Sequence, residues 1–176
     1  MPVSVTLTEL RLRSRQRADQ VGSELVGDTE LDYLINGHIQ ELYEKLVTAY
    51  GEDYFSSSAD FSTIAGTGAY NLASNGISKF LKLRGVDVVF SSTDIKSMKR
   101  FSFADRNRWT GQAIWNAHNF KSIRYRLMGS ELLFRPIPNS VETVRVWYVP
   151  ARTKLALPAD TFDGINGWEQ IVIAKT

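Results

Sequence analysis

The stretch DTELDYLINGHIQELYEKLVTAYG, Asp28 to Gly51, decides the fold. Leu31, Leu34, Ile35, His38, Ile39, Leu42 and Leu46 recur at intervals that place them on one face of an α-helix through about five turns. Asp28-Thr29 supplies hydroxyl and carboxylate groups that can cap its start, and Gly51 stands where a C-terminal cap is expected. Upstream, Thr6-Leu7-Thr8-Glu9 reads as a capping box: the Thr6 hydroxyl accepts from the Glu9 amide and the Glu9 carboxylate returns to the Thr6 amide. The helix that follows carries a narrow stripe, Leu7, Leu10, Ser14 and Ala18, and Gly22 is positioned to end it. Residues 1–52 therefore read as a helical hairpin.

Downstream the pattern shortens towards a period of two, and Ser, Thr, Gly and aromatic residues rise. Phe61 to Ile64 and Ala69 to Leu72 flank Ala65-Gly66-Thr67-Gly68, which predicts a hairpin. Phe80 to Leu83 and Val86 to Phe90 are separated by Arg84-Gly85, a turn or a bulge. Ile123 to Met128 and Glu131 to Arg135 flank Gly129-Ser130, the clearest hairpin in the chain. Val141 to Val149 adds a long strand rich in Val, Trp and Tyr, ended by Pro150. Ala151 to Asp163 reads as an extended connector. From Gly167 to Lys175 an amphipathic pattern returns, with Trp168, Ile171, Val172 and Ala174 apolar. The expected fold is α+β: an N-terminal helical hairpin and a C-terminal helix form a small bundle, and a large antiparallel β module is inserted between them. The segments are 1–52, 53–150 and 151–176.

At 176 residues, 43% of them apolar, the chain can bury a real core. It has no cysteine, so disulfides, thiolate metal ligands and a cysteine nucleophile are excluded. No apolar window approaches the ~20 residues of a membrane span, and the N-terminus has no secretory pattern, so no membrane role is expected. The net charge of +2 falls short of a dedicated DNA-binding domain, but the cations cluster locally.

Little in the sequence points to catalysis. His38 lies within the apolar stripe of the second helix and His118 within a polar loop, both read as packing or surface residues. Ala65-Gly66-Thr67-Gly68 lacks the Gly-Lys-Ser/Thr ending of a phosphate loop, and no nucleophile elbow occurs. No catalytic residue, cofactor or metal ligand is assigned. Three basic clusters remain: Arg11, Arg13, Arg15 and Arg17; Lys96, Lys99, Arg100, Arg106 and Arg108, the last four interleaved with Phe101, Phe103 and Trp109; and Lys121, Arg124 and Arg126. The first suits a DNA or acidic-partner contact, or equally a solvated helix face. The second suits nucleic-acid stacking or a subunit interface anchored by aromatic and Arg side chains, and a strand pattern there buries Phe101 and Phe103 on one face.

The order of the elements and several motifs within them carry a resemblance. Leu10, Ala18-Asp19, Leu31, Leu34-Ile35-Asn36, Glu41-Leu42-Tyr43, Leu46 and Tyr50 are followed by Tyr54, Phe61, Ile64-Ala65-Gly66-Thr67, Tyr70 and Leu72. Later come Arg124-Tyr125-Arg126-Leu127, Gly129, Leu132, Phe134 and Pro136, then Trp147-Tyr148-Val149-Pro150 and Phe162 to Glu169. From about residue 6 to the end, the chain resembles the head-to-tail adaptor, or head-completion, proteins of tailed bacteriophages. The resemblance implies a structural virion protein of the neck, assembled in the host cytoplasm. It implies a ring of twelve copies on the portal protein, around the DNA exit channel, with a downstream neck or tail protein as a further partner. On this reading Arg11, Arg13, Arg15 and Arg17 are candidates for packaged double-stranded DNA or an acidic partner. Lys99, Arg100, Phe101, Phe103, Arg106, Arg108, Trp109, Arg124 and Arg126 are candidates for subunit or tail contacts, and Ile165, Trp168, Ile171 and Val172 for the portal. The helix after Trp168 is shorter than the resemblance implies. Alternatives are another neck or tail protein, a stopper or tail terminator, and a phage DNA-binding protein.

Overall fold

A computed structural model of the chain describes residues 3–21, 26–51, 53, 55–108, 110–118, 120–164 and 167–176. In chain order the main elements are β1 (Val3–Thr6), α1 (Leu7–Arg17), α2 (Asp28–Tyr50), β2 (Ser57–Ser62), β3 (Ala69–Asn71), β4 (Phe80–Val89), β5 (Ile95–Ser97), β6 (Lys99–Arg100), β7 (Gln112–Ala113), β8 (Arg124–Met128), β9 (Glu131–Arg135), β10 (Ile137–Pro138), β11 (Thr143–Pro150), β12 (Thr161–Gly164) and α3 (Trp168–Lys175). The chain is α+β, and it divides into a helical unit, Met1–Tyr54 with Arg152–Thr176, and a β unit, Phe55–Ala151.

In the helical unit, α1 starts as the capping residues dictate: the Thr6 hydroxyl accepts from the Glu9 amide at 3.2 Å. The return half of the box differs, because the Glu9 carboxylate pairs with Arg13 one turn on. Thr6 is also the last residue of a strand that the helical pattern hid, β1, paired antiparallel with β12 so that Val5 lies opposite Phe162. The returning chain also satisfies two N–H groups that any helix start leaves open: Leu7 N–H donates to Asp160 C=O at 2.9 Å and Thr8 N–H to Pro158 C=O at 3.2 Å. The helix ends at Arg17, with Asp19 left-handed at φ 54°, and the stripe loses Ala18 to solvent. Gly22, expected to end it, lies outside the described residues.

Gly27, rather than Asp28-Thr29, caps α2, and Asp28 is its first helical residue. The Asp28 carboxylate is drawn instead to guanidinium groups of α1. Leu31, Ile35, Ile39 and Leu42 are buried with Val5, Leu7, Leu10, Phe162, Val172 and Ile173 in one core. Leu34 is exposed, and Val47 is buried where Leu46 is half-buried, so the stripe drifts by one position along α2. The 151–163 connector is held rather than loose. Asn36 donates to Leu155 C=O at 2.9 Å and accepts from Leu155 N–H at 2.8 Å, while the Asp160 carboxylate accepts from the Ala156 and Leu157 amides. Those two amides hold the Asp160 carboxyl below the usual carboxylate range.

The β unit has two four-stranded sheets, β2-β11-β4-β5 and β3-β9-β8-β6. One core takes Phe61, Val86, Val88, Val144 and Val146 from the first and Tyr70, Tyr125, Leu132 and Phe134 from the second. Most pairings are antiparallel; β6 with β8 and β10 with β7 are short parallel exceptions. The hairpin at Gly129-Ser130 forms as expected, with Met128 opposite Glu131. The hairpin expected at Ala65-Gly66-Thr67-Gly68 does not form: β2 pairs with β11, and β3 pairs with β9 in the other sheet. The segment is a turn between sheets. Gly66 takes φ +80°, and the Tyr70 hydroxyl accepts from Ile64 N–H at 2.8 Å. Phe80 to Val89 is a single strand, and the Arg84-Gly85 signal is a bulge: Gly85 lies opposite Trp147 and Leu83 opposite Tyr148.

Candidate interaction surfaces

The two units divide the charge. From Phe55 to Ala151 there are thirteen Lys and Arg against six Asp and Glu, a net +7. The rest of the chain has eight against thirteen, a net −5. Each unit has its own candidate surfaces.

In the helical unit, three of the four N-terminal arginines are engaged by carboxylates. Arg11 forks onto Asp32, with Nε 2.6 Å from Oδ1 and Nη2 2.5 Å from Oδ2, and reaches Asp28 at 3.3 Å. The Asp32 hydrogen bonds raise the Arg11 pKa. Arg15 lies 2.9 Å from Asp28 and also donates to Val26 C=O at 2.8 Å, and Arg13 pairs with Glu9. Arg17 is exposed. The period of the sequence showed these cations beside the stripe but not that α2 supplies the partners of Arg11 and Arg15.

At the other end of this unit, α3 turns Glu169, Val172 and Ile173 inwards. Val172 is fully enclosed in the unit's own core, whereas Ile171 is 44% exposed and Trp168 is half-buried, its ring 5.8 Å from that of Tyr50. Ile165 lies outside the described residues. Glu41 ties α3 to α2, accepting from Lys175 and Lys45 at 2.6 Å each, and these two ammonium groups lower its pKa to about 2. His38 is half-buried, with Nδ1 3.1 Å from the Thr176 hydroxyl.

In the β unit, the register sorts β8 and β9 into two faces. Tyr125, Leu132 and Phe134 point into the core, so Arg124, Arg126, Met128, Glu131, Leu133 and Arg135 share the outer face. Parallel β6 places Lys99 beside Arg124 on that face. Arg100 belongs to the other side, donating to the Tyr125 hydroxyl at 3.0 Å and Leu83 C=O at 2.9 Å. Phe101 is buried, but Phe103 is not: β6 stops at Arg100, Phe103 starts a 3₁₀ turn, and its side chain is 53% exposed. Two guanidinium groups lie over its ring, that of Arg106 at 4.4 Å from the centroid and that of Arg126 at 5.3 Å. Arg126 also donates to Phe101 C=O at 3.2 Å, so residues 101–108 border the outer face. An open cleft there of about 490 Å³ is lined by Arg106, Met128, Glu131, Leu133 and Arg135 among others. Arg108 is exposed beside Asp105, and Trp109 lies outside the described residues. Arg135 escaped the reading of clusters because it is eleven residues from Arg124 in the chain and directly opposite it in the hairpin.

Among the described residues no group of three or more His, Asp or Glu could hold a metal ion, and no helix is long and apolar enough to cross a membrane. His118 is exposed, its backbone N–H donating to its neighbour Asn116. The described residues present an exposed Ile171 beside half-buried Trp168 on α3, and a cationic sheet face with an aromatic ring at its border. No family model matches the chain, and no curated protein matches it.

Proposed function

We propose that the protein is a structural ring subunit of a tailed-phage neck, an adaptor between the portal and the next neck or tail protein. The observation that carries this reading is the small bundle of α1, α2 and α3, closed by a C-terminal helix that keeps Ile171 in solvent beside half-buried Trp168. That is the kind of element the resemblance assigns to portal docking. A subunit presenting one surface on the bundle and a different one on the β unit suits heterologous contacts, which close into a ring when repeated about one axis. Ring closure around the exit channel would let the protein hold packaged DNA and offer a docking surface to the tail, with no catalytic step.

The test is to mix purified protein with its portal ring and measure mass and rotational symmetry by native mass spectrometry and electron microscopy. The expected product is a cyclic complex with one copy per portal subunit. Ile171→Asp, at an exposed position, is expected to reduce portal binding without unfolding the bundle, and Trp168→Ala to do the same. Assembly on another tail component instead would make the protein a stopper or terminator. Undiminished portal binding by both variants would remove α3 from the interface.

A further inference from the structure

We infer that the outer face of the β3-β9-β8-β6 sheet is a docking surface for the phosphate backbone of double-stranded DNA, held by Lys99, Arg124, Arg126 and Arg135 with Arg106 at its rim. This rests on the ring-subunit reading only for where the duplex would lie.

The first support is an arrangement that folding alone disfavours. Lys99, Arg124 and Arg135 occupy directly opposed positions on three adjacent strands. At the strand spacing of about 4.8 Å they form a cationic row about 10 Å long. Like charges placed opposite one another across a sheet destabilise it. Arg126 continues the patch two residues along β8, and among the described residues Glu131 is the one carboxylate on the face. The Nε atoms of Arg126 and Arg135 are enclosed and find no acceptor among the described residues.

The second support is where the acids have gone. Asp60 is forked by Arg145 at 2.8 Å, Asp87 accepts from Trp147 at 2.7 Å and Asp94 lies 2.8 Å from Lys96. Asp105 accepts from Ser102 and Glu142 from Ser140. Five of the unit's six carboxylates thus have partners of their own away from β8 and β9, and Glu131 alone shares the face with its cations.

An acidic patch on a second copy of the chain is the natural rival occupant. The helical unit is the acidic one, and although its own cations hold Glu9, Asp28, Asp32 and Glu41, it keeps a net −5 with Asp19, Glu30 and Glu44 exposed, so this occupant is an outcome of the test. A straight row of cations fixed by sheet register is the better match to the closely and evenly spaced charges of an external polyanion. Duplex phosphate is such a polyanion, and guanidinium groups on a rigid sheet bind phosphate without reading sequence. The Phe103 ring already has the guanidinium groups of Arg106 and Arg126 at 4.4 and 5.3 Å from its centre, which leaves less of it for an unstacked base and favours duplex over single strands.

The experiment measures binding of the full chain to a 30-base-pair duplex of arbitrary sequence across salt concentrations. If all five cations each neutralise one phosphate, the log–log salt slope approaches about −4.5, and affinity falls about 500-fold from 50 to 200 mM salt. Lys99→Gln/Arg124→Gln/Arg126→Gln is expected to bring the slope to about −1.8, a fall of about 12-fold over the same range. Because Arg126 also supports Phe101, the second variant is Lys99→Glu/Arg106→Glu, both exposed, which is expected to weaken duplex binding and leave the circular dichroism spectrum unchanged. Lys154→Gln, at an exposed cation of the helical unit, serves as the control and is expected to bind as wild type.

No binding at 50 mM salt, wild-type slopes in both face variants, or tighter binding to polyglutamate than to duplex would each overturn the proposal. The proposal and the ring-subunit reading fail separately. Assembly on the portal without duplex binding discards the face, and duplex binding without portal assembly discards the ring.

Discussion

Arg11 offers the sharpest separation between a cation that builds the fold and one that meets a ligand. Its fork onto Asp32, at 2.6 and 2.5 Å, joins α1 to α2 with side chains only 18% and 22% exposed. Two unit charges at ~4 Å attract by about 4 kcal/mol at an effective dielectric of 20. Ordering both side chains and stripping part of their water offsets roughly half of that, leaving a coupling of about 1–2 kcal/mol. Arg11→Met alone is expected to cost somewhat more, about 2 kcal/mol, because Asp32 then keeps a half-enclosed charge without its partner. The assay is a double-mutant cycle of Arg11→Met and Asp32→Asn by urea unfolding, with duplex affinity measured on the same samples. Arg17→Gln, on the exposed side of α1, is expected to change stability by less than about 0.5 kcal/mol. The reasoning is refuted by a coupling within about 0.3 kcal/mol of zero, which is the noise of additivity. It is refuted equally if Arg11→Met folds normally and loses duplex affinity, since Arg11 would then be a DNA contact and not a strut.

Two further outcomes follow from groups that fasten the helical unit. Asn36→Ala removes both hydrogen bonds to Leu155 and leaves a half-buried backbone pair open, so a loss of about 2 kcal/mol is expected by urea unfolding, with faster proteolysis near residues 152–160; a loss below about 0.5 kcal/mol would show that the connector is held by other contacts. Glu41 has its pKa lowered to about 2, so its stabilising effect is fully present above the unfolded value of ~4.3 and is lost as pH falls through about 2. The thermal midpoint of wild type relative to Glu41→Gln is expected to converge over that window and, the carboxylate being exposed, to converge in high salt as well. A constant gap at every pH would mean that the charge of Glu41 contributes nothing.

Sequence reasoning succeeded where the partner of a residue lies nearby in the chain. The 3.6-residue period placed Leu31, Ile35, Ile39 and Leu42 inside α2 because a helix settles its own face. It failed where the partner is distant. Ala65-Gly66-Thr67-Gly68 has the residues a turn needs, but turn chemistry says nothing about which strands the arms will join, and β11 and β9 compete for them from more than sixty residues away. The cap of α2 moved for a similar reason: Asp28 had a stronger claim on it from Arg11 and Arg15 than from its own helix start. The cationic face stands between these cases. Counting outward from Gly129-Ser130 pairs Met128 with Glu131 and, four residues further along each arm, Arg124 with Arg135, so half of the row is implied by one hairpin. The other half is not, because Lys99 reaches Arg124 only through a two-residue parallel strand that no local pattern announces. The charge division, by contrast, was within reach of the sequence: the segment expected at 53–150 carries thirteen cations against seven acids, +6, and the rest of the chain −4, close to the +7 and −5 of the two units. A polyanion partner is therefore argued by register and by the fate of the carboxylates, neither of which composition contains.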